Sequence, residues 1–571
     1  MSVSKTGKAK IALSEDSGER SPAEADVSSS EGHVSFGDII EGTATHQATP
    51  FERKAALVNA EIDKFGFGKY QQCIWVLCGF GYFLDLAWTQ GVGLMVTAVF
   101  QEMDVPPSRQ GLIFSCSNAG LAIGAFSFGI LTDIIGRKWA FNLTCLITSV
   151  FGILLAAVKY NYAAICGIYF LSSVGLGGNI PIDAAIALEF LPQNRRFLVA
   201  LLGIWQPIGV VVASAISYGT AAKYRCDVKL PACNAAGVSP GDSCCSVSSN
   251  MGWRYEVIAI GMITFVVFLV RCLIFRFYES PKFLISKGRD QDAIDVLRKI
   301  AQFNKSPAPT LTIEDFQQIN SDTGSESGSI KSKSPKNVAL GFFKSFKHLR
   351  GLFACKAECF SFVLLAVAYM GDYWSFTLAG SFLPIILLRN NVESGGNVTE
   401  TYLQYIYIYL PGIIGAVIAL FSIQLPLIGR KWSLVIAATL QGVSMALYTQ
   451  VKNTAGYVGL NALEYIMQTV SPDPKASSAI GITTRLTLVI QYFNAVLYAS
   501  APEMFNTTYR TSASGMLSCL GRIAGIVAPF AGQRYIEGGS AGVLWLGAGG
   551  IWVSALFLTL LPIEMSNRQM Y

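Results

Sequence analysis

Apolar runs about twenty residues long recur along this chain after residue 70, and they restrict its fold more than any other feature. A bilayer core of roughly 30 Å requires about 20 apolar residues per helix. Across the 571 residues, 52% are hydrophobic and only 14% are charged, which argues against a set of soluble domains. The sequence therefore predicts an all-α membrane protein.

Twelve such runs are present, six on each side of a polar centre. They lie at residues 74–100, 111–131, 139–158, 162–190, 197–219, 255–276, 360–388, 404–427, 432–450, 478–502, 512–533 and 541–562. The predicted domains are a disordered cytosolic tail (1–70), a six-helix bundle (71–276), a cytosolic loop (277–355), a second six-helix bundle (356–562) and a short cytosolic tail (563–571). The central loop is expected to contain an amphipathic helix around Ile294 to Ile300, followed by a Ser-rich linker.

Basic residues predict the orientation of the helices. They fall in alternate short loops, at Arg137, Lys138, Arg195, Arg196, Arg430, Lys431 and Arg510. Because Lys and Arg are concentrated in cytoplasmic loops, these loops and both termini are expected in the cytosol. The first seventy residues are polar and contain no apolar stretch typical of a cleavable signal peptide.

One loop on the opposite side, between the fifth and sixth runs, contains a cluster of cysteines. Its members are Cys226, Cys233, Cys244 and Cys245. In an oxidising compartment clustered cysteines usually pair, and the adjacent Cys244 and Cys245 are poorly placed to bond each other, which leaves two connectivities open. No histidine lies nearby, so neither a metal site nor a cofactor site is expected. Asn397 begins an Asn-Val-Thr glycosylation sequon on the same side.

The loop between the second and third runs carries the motif GILTDIIGRK, from Gly129 to Lys138. This motif resembles the signature of the major facilitator superfamily. In such a position a glycine lets helices approach, and Asp133 can pair with basic residues on neighbouring helices. We therefore expect a latch that closes the cytosolic side, built from Gly129, Asp133, Gly136, Arg137 and Lys138.

The second half of the chain repeats the first. SIQLPLIGRK retains the glycine and the basic pair of the motif but has Pro426 at the aspartate position. The seven-residue spacing of Glu189 and Arg196 recurs in Glu503 and Arg510, and these four residues are also assigned to the latch. Two six-helix repeats predict a cavity at their interface near the bilayer midplane.

Three further stretches, GLGGNIPIDAAIALEFLP, ESPKFL and LPIEMSNRQ, resemble the branch of the superfamily that contains the synaptic vesicle glycoproteins and the organic ion transporters, with sugar porters more distant. The resemblance covers residues 70–570 and implies a twelve-helix fold and transport by alternating access. Many proton-linked relatives carry an arginine in the fourth helix, whereas the run from Tyr162 to Phe190 has no Arg or Lys.

Two aspartates interrupt apolar runs that correspond under the repeat. Asp85 lies in the first run and Asp372 in the seventh, and each follows a tyrosine, Tyr82 or Tyr369, by three residues. A charge at such depth costs at least about 2.5 to 3.5 kcal/mol, so the aspartates are expected to face a cavity, where they carry a proton or contact the solute. The alternative is a structural aspartate bonded to tyrosine or to unwound backbone.

Three other polar residues are candidates for the same cavity. Asn179 follows a glycine pair and precedes a proline, and Asp183, four residues later, is either a proton relay or a structural group. Arg522 lies within the eleventh run. In the organic ion transporters that the sequence resembles, a basic residue there accompanies anionic substrates. Arg522 thus indicates a carboxylate solute, unless it pairs with a transmembrane aspartate.

The predicted function is secondary active transport of a small organic solute by alternating access, with a carboxylate or other organic ion as the candidate solute and protons as the expected coupling ion. Alternatives are an efflux pump for a secondary metabolite or drug, a sugar-type importer, and a receptor built on the same fold. The sequence shows neither a nucleotide-binding loop nor a nucleophile with a base, so an enzyme is not expected. The expected partners are the solute, protons and the bilayer, without nucleic acid. The chain is expected to be a monomer in the plasma membrane, with a vacuolar or vesicular membrane as alternatives.

Overall fold

Lipid offers no hydrogen-bond partner to the backbone, so the apolar runs fold as α-helices. The computed structural model of the chain describes residues 50–235, 238–239, 243–275, 277–322, 356–381, 398–425, 428–449, 492–505, 510–536 and 540–561. Within these ranges the backbone is almost entirely helical. Most of the predicted N-terminal tail, the Ser-rich linker, Asn397, Pro426 and the 563–571 tail lie outside the described residues.

The first half contains the six predicted membrane helices, one of them in two parts. These are α2 (Lys69–Met103), α3 (Leu112–Ile135), α4 (Arg137–Leu155), α5 (Tyr162–Gly177), α6 (Asn179–Phe190), α7 (Trp205–Gly219) and α8 (Gly252–Leu269). The fourth predicted run corresponds to α5 and α6, which meet at Gly178. A π-helical turn, Val270–Ile274, extends α8 and carries Arg271.

The second half follows the same plan. Its helices are α12 (Lys356–Phe376), α13 (Val398–Tyr409), α14 (Gly412–Gln424), α15 (Gly429–Thr449), α16 (residues 492–503), α17 (Arg510–Ile536) and α18 (Ser540–Thr559). The eighth predicted run corresponds to α13 and α14, and only the end of the tenth run, α16, is described. Ten stretches within the described ranges are long and apolar enough to cross a membrane.

A layer of short helices lies beside the first bundle. It consists of α1 (Pro50–Phe65), α9 (Pro281–Ser286), α10 (Asp290–Asn304) and α11 (Ile313–Asp322). The amphipathic pattern predicted for the central loop is confirmed, since Ile294, Leu297 and Ile300 of α10 are fully buried. The prediction of disorder over 1–70 does not hold at its end, because α1 is a packed helix.

The two halves meet along α3 and α17, which pack closely over their length. At one end a Cβ atom on Gly129 would lie 3.2 Å from the Cα atom of Gly515, so a larger residue would crowd the backbone of α17. At the other end Ser115 Oγ donates to the carbonyl oxygen of Ile526 at 3.0 Å. The second line of contact runs between α7 and the pair α13 and α14.

Two disulfides brace the loop between α7 and α8. Cys226 bonds Cys245, and Cys233 bonds Cys244. This is one of the two connectivities that the sequence leaves open. The loop also contacts the end of α2, where Gln101 Nε2 donates to the carbonyl oxygens of Asp227 at 2.6 Å and Leu230 at 3.0 Å.

Candidate functional site

A cavity lies between the two halves. Its polar lining includes Asp85, Thr89, Ser117, Asn118, Gln206, Asp372, Thr377, Asn494 and Arg522, and its aromatic lining includes Phe114, Tyr169, Tyr373, Phe376 and Tyr498. The cavity therefore brings together three of the predicted site residues, Asp85, Asp372 and Arg522. Among the lining residues of the described ranges, Arg522 is the only cation.

Asp85 of α2 and Arg522 of α17 form an ion pair across the interface between the halves. Arg522 Nη2 lies 3.5 Å from Asp85 Oδ1, and the two side chains are 3% and 8% exposed. The guanidinium also lies 4.6 Å from the ring centroid of Tyr373, and its Nε donates to Ser518 Oγ at 3.4 Å. A charge-assisted hydrogen bond is normally about 2.7 to 2.9 Å long, so this pair is loose.

Asp372 of α12 has a different partner. With its amide turned so that nitrogen faces the carboxylate, Asn494 of α16 donates to both Asp372 oxygens, at 2.8 and 3.1 Å. Within the described part of the chain no cation lies within ion-pair distance of Asp372, which is 1% exposed. The two aspartates share a cavity, but only Asp85 contacts a cation.

Four tyrosines separate this cavity from a smaller pocket. Tyr498 Oη donates to Tyr373 Oη at 3.2 Å, and the Tyr498 ring lies 6.4 Å from the ring of Tyr82 and 6.0 Å from that of Tyr369. The smaller pocket is lined by Ile180, Pro181, Ala184, Tyr369, Tyr498, Pro502, Ser514 and Ser518. Tyr369 lines only the smaller pocket and Tyr82 lines neither, and the Tyr82 hydroxyl has no hydrogen-bond partner in the described part of the chain.

Asp183 and Asn179 do not line the main cavity. Asp183 instead pairs with Arg271, whose Nη2 lies 3.4 Å from Asp183 Oδ2, and both side chains are fully buried. Arg271 also donates to the carbonyl oxygens of Leu77 at 2.7 Å and Phe141 at 3.2 Å. Both polar atoms of the Asn179 side chain are buried without a partner in the described part of the chain.

Arg271 is the residue that the sequence analysis missed. It interrupts the apolar run FVVFLVRCLIF in the same way that Asp85 interrupts its own run, and this signal was available. Its position explains how the first bundle holds a buried carboxylate in the fourth membrane segment without a basic residue in that segment. The pair is enclosed within one half, so it stabilises the bundle and does not join the halves.

Arg137 contacts two of the other residues that the sequence predicts for the cytosolic latch. Arg137 Nη2 lies 3.4 Å from Asp133 Oδ1 and 3.1 Å from Glu189 Oε1. Asp133 also accepts a hydrogen bond across the interface, from Ser512 Oγ of α17 at 2.6 Å. Glu279 accepts from the backbone N–H groups of Arg137 at 2.9 Å and Lys138 at 3.4 Å, beside Gly136, whose φ of +101° favours glycine.

The second half adds its own charges to this end of the interface. Arg430 Nε lies 2.6 Å from Glu503 Oε2. Arg510 is 4% exposed and lies near Arg196 and Lys282. Burial, and then the neighbouring Arg196 and Arg510, hold the pKa of Lys282 well below its ordinary value, whereas burial raises the pKa of Glu279. Of the residues predicted for the latch, Gly129 and Asp133 contact α17 directly, and Arg510 lies near Arg196 across the interface.

Within the described part of the chain, side-chain contacts join the halves at both ends of the cavity. The latch joins the halves at one end, through Asp133 and Ser512. At the other end Tyr405 of α13 donates to Gln90 Oε1 of α2 at 2.7 Å. A charged cavity enclosed between two repeats, with separate contacts at each end, is the arrangement of a carrier that opens to one side at a time. The fold and the site define a secondary active transporter.

Comparison with known proteins agrees with this class. The chain belongs to the sugar (and other) transporter family, whose model matches residues 73–571. It is 30% identical to the MFS siderochrome iron transporter 1 of Ceriporiopsis subvermispora over 91% of this chain and 92% of that protein. An uncharacterized MFS-type transporter of Schizosaccharomyces pombe is 32% identical over 84% of this chain and 83% of its own length.

Among solved structures, the proton:xylose symporter XylE has the same fold. It superposes with a TM-score of 0.63 at 15% identity, covering 88% of this chain and 98% of XylE. Synaptic vesicle glycoproteins are among the more distant relatives, which confirms the branch that the sequence predicted. The predicted major facilitator fold, the multi-pass membrane location and secondary active transport are thereby confirmed, while the solute is not specified.

Proposed function

We propose that this transporter carries a small organic carboxylate in symport with a proton, and that Asp85 and Arg522 couple the two. The observation that carries the proposal is their loose, buried ion pair, 3.5 Å long, in a cavity between the halves. An uncompensated charge in this cavity would be costly, so the pair can separate only when each partner is neutralised in another way.

A proton and a carboxylate solute supply that neutralisation together. When Asp85 takes up a proton, Arg522 loses its counter-charge and becomes free to bind a carboxylate, for which its planar guanidinium is well suited. The cavity then contains the same net charge as before. Release of the proton re-forms the ion pair and expels the solute. One proton and one carboxylate are thus expected to move in the same direction.

The remaining lining fits an organic body attached to the carboxylate. Phe114, Tyr169, Tyr373 and Phe376 offer apolar surface, and Gln206 and Asn494 offer amide hydrogen bonds. Asp372 accepts hydrogen bonds from Asn494, and its carboxylate can accept a further contact from a polar or cationic group of the solute. Opening and closing of the cytosolic latch would expose this cavity to the cytosol in turn.

The proposal also includes features that follow from the topology. Both termini lie in the cytosol, the protein acts as a monomer in the plasma membrane, and it has no enzymatic activity. The positively charged loops at Arg137, Arg195 and Arg430 support this orientation. Inward symport, and not efflux, is the direction in which an external proton excess would drive a carboxylate.

The test is uptake of a mixed panel of metabolites, with organic acids, a sugar and an organic cation, into proteoliposomes with and without an inward proton gradient. Wild type should accumulate an acid only with the gradient. Asp85→Asn should still exchange the acid but lose accumulation, and Arg522→Gln should lose binding of the acid. Asp372→Asn, which removes a carboxylate without a cation partner, is the matched control and should retain coupling.

Two results would overturn the proposal. Accumulation by Asp85→Asn that responds to the gradient as in wild type would remove Asp85 from coupling. Gradient-driven accumulation of the sugar or the cation, with the acids excluded, would show that Arg522 only neutralises Asp85 and that the solute belongs to another class.

A further inference from the structure

A second buried carboxylate lies outside the central cavity and has almost no partners. Glu256 of α8 has no exposed surface. Its Oε1 atom lies 2.5 Å from Ser217 Oγ of α7, and its Oε2 atom has no hydrogen-bond partner in the described part of the chain. Nor does any cation within the described ranges form an ion pair with it. Such a group cannot hold a full charge cheaply.

Glu102 of α2, near the same end of the first bundle, is a buried glutamate with the hydrogen-bond donors that an ionised carboxylate needs. It is equally buried, but it accepts hydrogen bonds from Arg254 at 2.7 and 2.9 Å and from Trp253 Nε1 at 3.0 Å. Asn250 adds a further donor at 3.2 Å. Glu102 thus has several donors and a matched cation, whereas Glu256, two residues after Arg254, has one hydroxyl.

The hydrogen bonds of Ser217 indicate whether Glu256 is protonated. The hydroxyl of Ser217 has a single hydrogen, yet Oγ lies within bonding distance of two acceptors, the carbonyl oxygen of Ala213 at 2.9 Å and Glu256 Oε1. If Ser217 donates to Ala213, the second contact needs a hydrogen from the carboxyl group. A protonated Glu256 supplies that hydrogen and satisfies both contacts.

Besides Ser217, the residues that face Glu256 lie on α2 and α13. Gly91 of α2 faces its Oε1 atom and offers no side chain. Tyr402 of α13 is the titratable group that faces it from the second half, and Arg225 lies beyond Tyr402, where it donates to Thr97 Oγ1 at 3.1 Å. Gly91 follows Asp85 by six residues, or about 9 Å along α2, so the two carboxylates belong to different sites.

We propose that Glu256 is a proton-binding site of the outer gate, separate from Asp85, and that the gate closes only when Glu256 is protonated. Here the outer gate means the contact of α13 with α2 and α7. In the closed state Tyr402 is buried and Tyr405 bonds Gln90, so water and Arg225 are kept from the carboxyl group. Withdrawal of α13 would admit water and allow Glu256 to release its proton. The inference rests on the proposed function only in assuming that this gate opens during transport.

The experiment measures the outer gate of the full-length protein in lipid, without any solute. Spin labels on bio-orthogonal amino acids at Tyr218 of α7 and Leu403 of α13, both exposed, report the distance between the halves. In wild type the open-to-closed ratio should rise about tenfold per pH unit above a midpoint, as linkage to one proton requires. Glu256→Gln, which mimics the protonated form, should stay closed at every pH.

Two control variants sharpen the measurement. Ser217→Ala keeps the carboxyl group and removes its partner, so its midpoint should shift while the tenfold slope remains. Asp295→Asn removes an exposed carboxylate of α10 and should keep the titration of wild type. If Glu256→Gln does not fold, infrared titration of wild type and Ser217→Ala decides, since the carbonyl band of a protonated carboxyl group should be present and should shift in the variant.

Several outcomes would overturn the inference. These are a gate in wild type that ignores pH, a Glu256→Gln gate that titrates as in wild type, an infrared band that is absent or does not shift, and closure that depends on sodium at constant pH. Because the measurement uses no solute, failure of the uptake panel leaves the inference standing. Conversely, an unaffected Glu256→Gln gate leaves the role proposed for Asp85 and Arg522 standing.

Discussion

At the scale of single residues, the buried pair of Asp183 and Arg271 is expected to be structural. Asp183→Asn would leave the guanidinium of Arg271 charged and uncompensated inside the first bundle, because both side chains are fully buried. Breaking such a pair typically costs about 3 to 5 kcal/mol. We therefore expect a marked loss of thermal stability in detergent.

The double variant Asp183→Asn with Arg271→Met tests the cause. It removes both charges and should recover most of the lost stability, since a buried ion pair can often be replaced by neutral groups at little net cost. A double variant that is no more stable than Asp183→Asn would show that the loss arises from packing. Arg298→Met, at an exposed cation of α10, is the matched control.

Lys282 should make the stability of the folded protein depend on pH. Burial among Arg196 and Arg510 lowers the pKa of Lys282, so the folded protein loses this proton at a lower pH than the unfolded chain does. Unfolding therefore takes up a proton between the lowered pKa and the ordinary value, and stability rises with pH across that window.

Lys282→Met removes the titrating group. We expect it to stabilise the protein by about 1 to 3 kcal/mol at pH 7, and this gain should shrink as the pH approaches 10. Melting curves of wild type and variant over this range provide the measurement, with the exposed Lys138→Met as control. A difference that stays constant with pH would contradict the assignment.

Candidate cavity residues can be predicted from the sequence as charged residues within apolar runs, because a charge there is costly. This criterion selects Asp85, Asp372 and Arg522. It could not assign partners, because Asp85 and Arg522 are far apart in the chain and their side chains meet only across the interface between the halves. For the same reason the pairing of Asp183 with Arg271 was not predictable. Asp183 is a cavity candidate in the sequence because it follows a glycine pair and Pro181 within an apolar run, and a structural role is the alternative there.

At the scale of elements, composition is a poor guide to the structure of α1. Its segment is polar on average, which predicted disorder, yet Leu57, Val58 and Ile62 are buried. Lys54 pairs with Asp290 of α10 at 2.5 Å and lies over the ring of Phe316 of α11. At its other end Asp63 Oδ1 accepts from the backbone N–H of Gln193 at 2.6 Å. A four-turn helix with one apolar face needs only its tertiary partners to become stable.

Detachment of α1 should therefore be possible without unfolding the bundles. Val58→Asp places a charge on a fully buried position, and it should release α1 from α10 and α11. Hydrogen exchange and limited proteolysis should show faster exchange and cleavage over residues 50–65 while the membrane helices stay protected. Val58→Ala, which shortens the same side chain without adding a charge, is the control and should leave α1 docked. Equal protection of α1 in both variants would contradict its docking through Val58.

At the scale of the whole molecule, the number and order of the membrane helices were predictable from apolar length and internal repetition. The latch residues remain a prediction from the motif and the repeat, which fix their places in the chain. The closure of both ends was not predictable, since it depends on how α3 meets α17 and how α13 meets α2. Neither contact leaves a pattern in a single sequence, apart from the small residues that allow close approach.

Gly129 provides the test of that closure. A Cβ atom there would lie 3.2 Å from both the Cα atom of Gly515 and the carbonyl oxygen of Thr511, which belong to the backbone of α17 and cannot rotate away. Gly129→Val should therefore separate α3 from α17 at the cytosolic end. The protein should then favour the state in which the cavity opens to the cytosol.

Spin labels at Trp139 of α4 and Trp432 of α15, both exposed, measure the distance between the halves at this end. Gly129→Val should shift the distribution to longer distances. Gly167→Val on α5, where an added Cβ meets nothing within 4 Å, should leave it unchanged. Identical distributions in both variants would mean that the latch charges alone keep this end closed. A shift confined to Gly129→Val would instead show that Asp133 and Ser512 bond only because the glycines first bring their helices together.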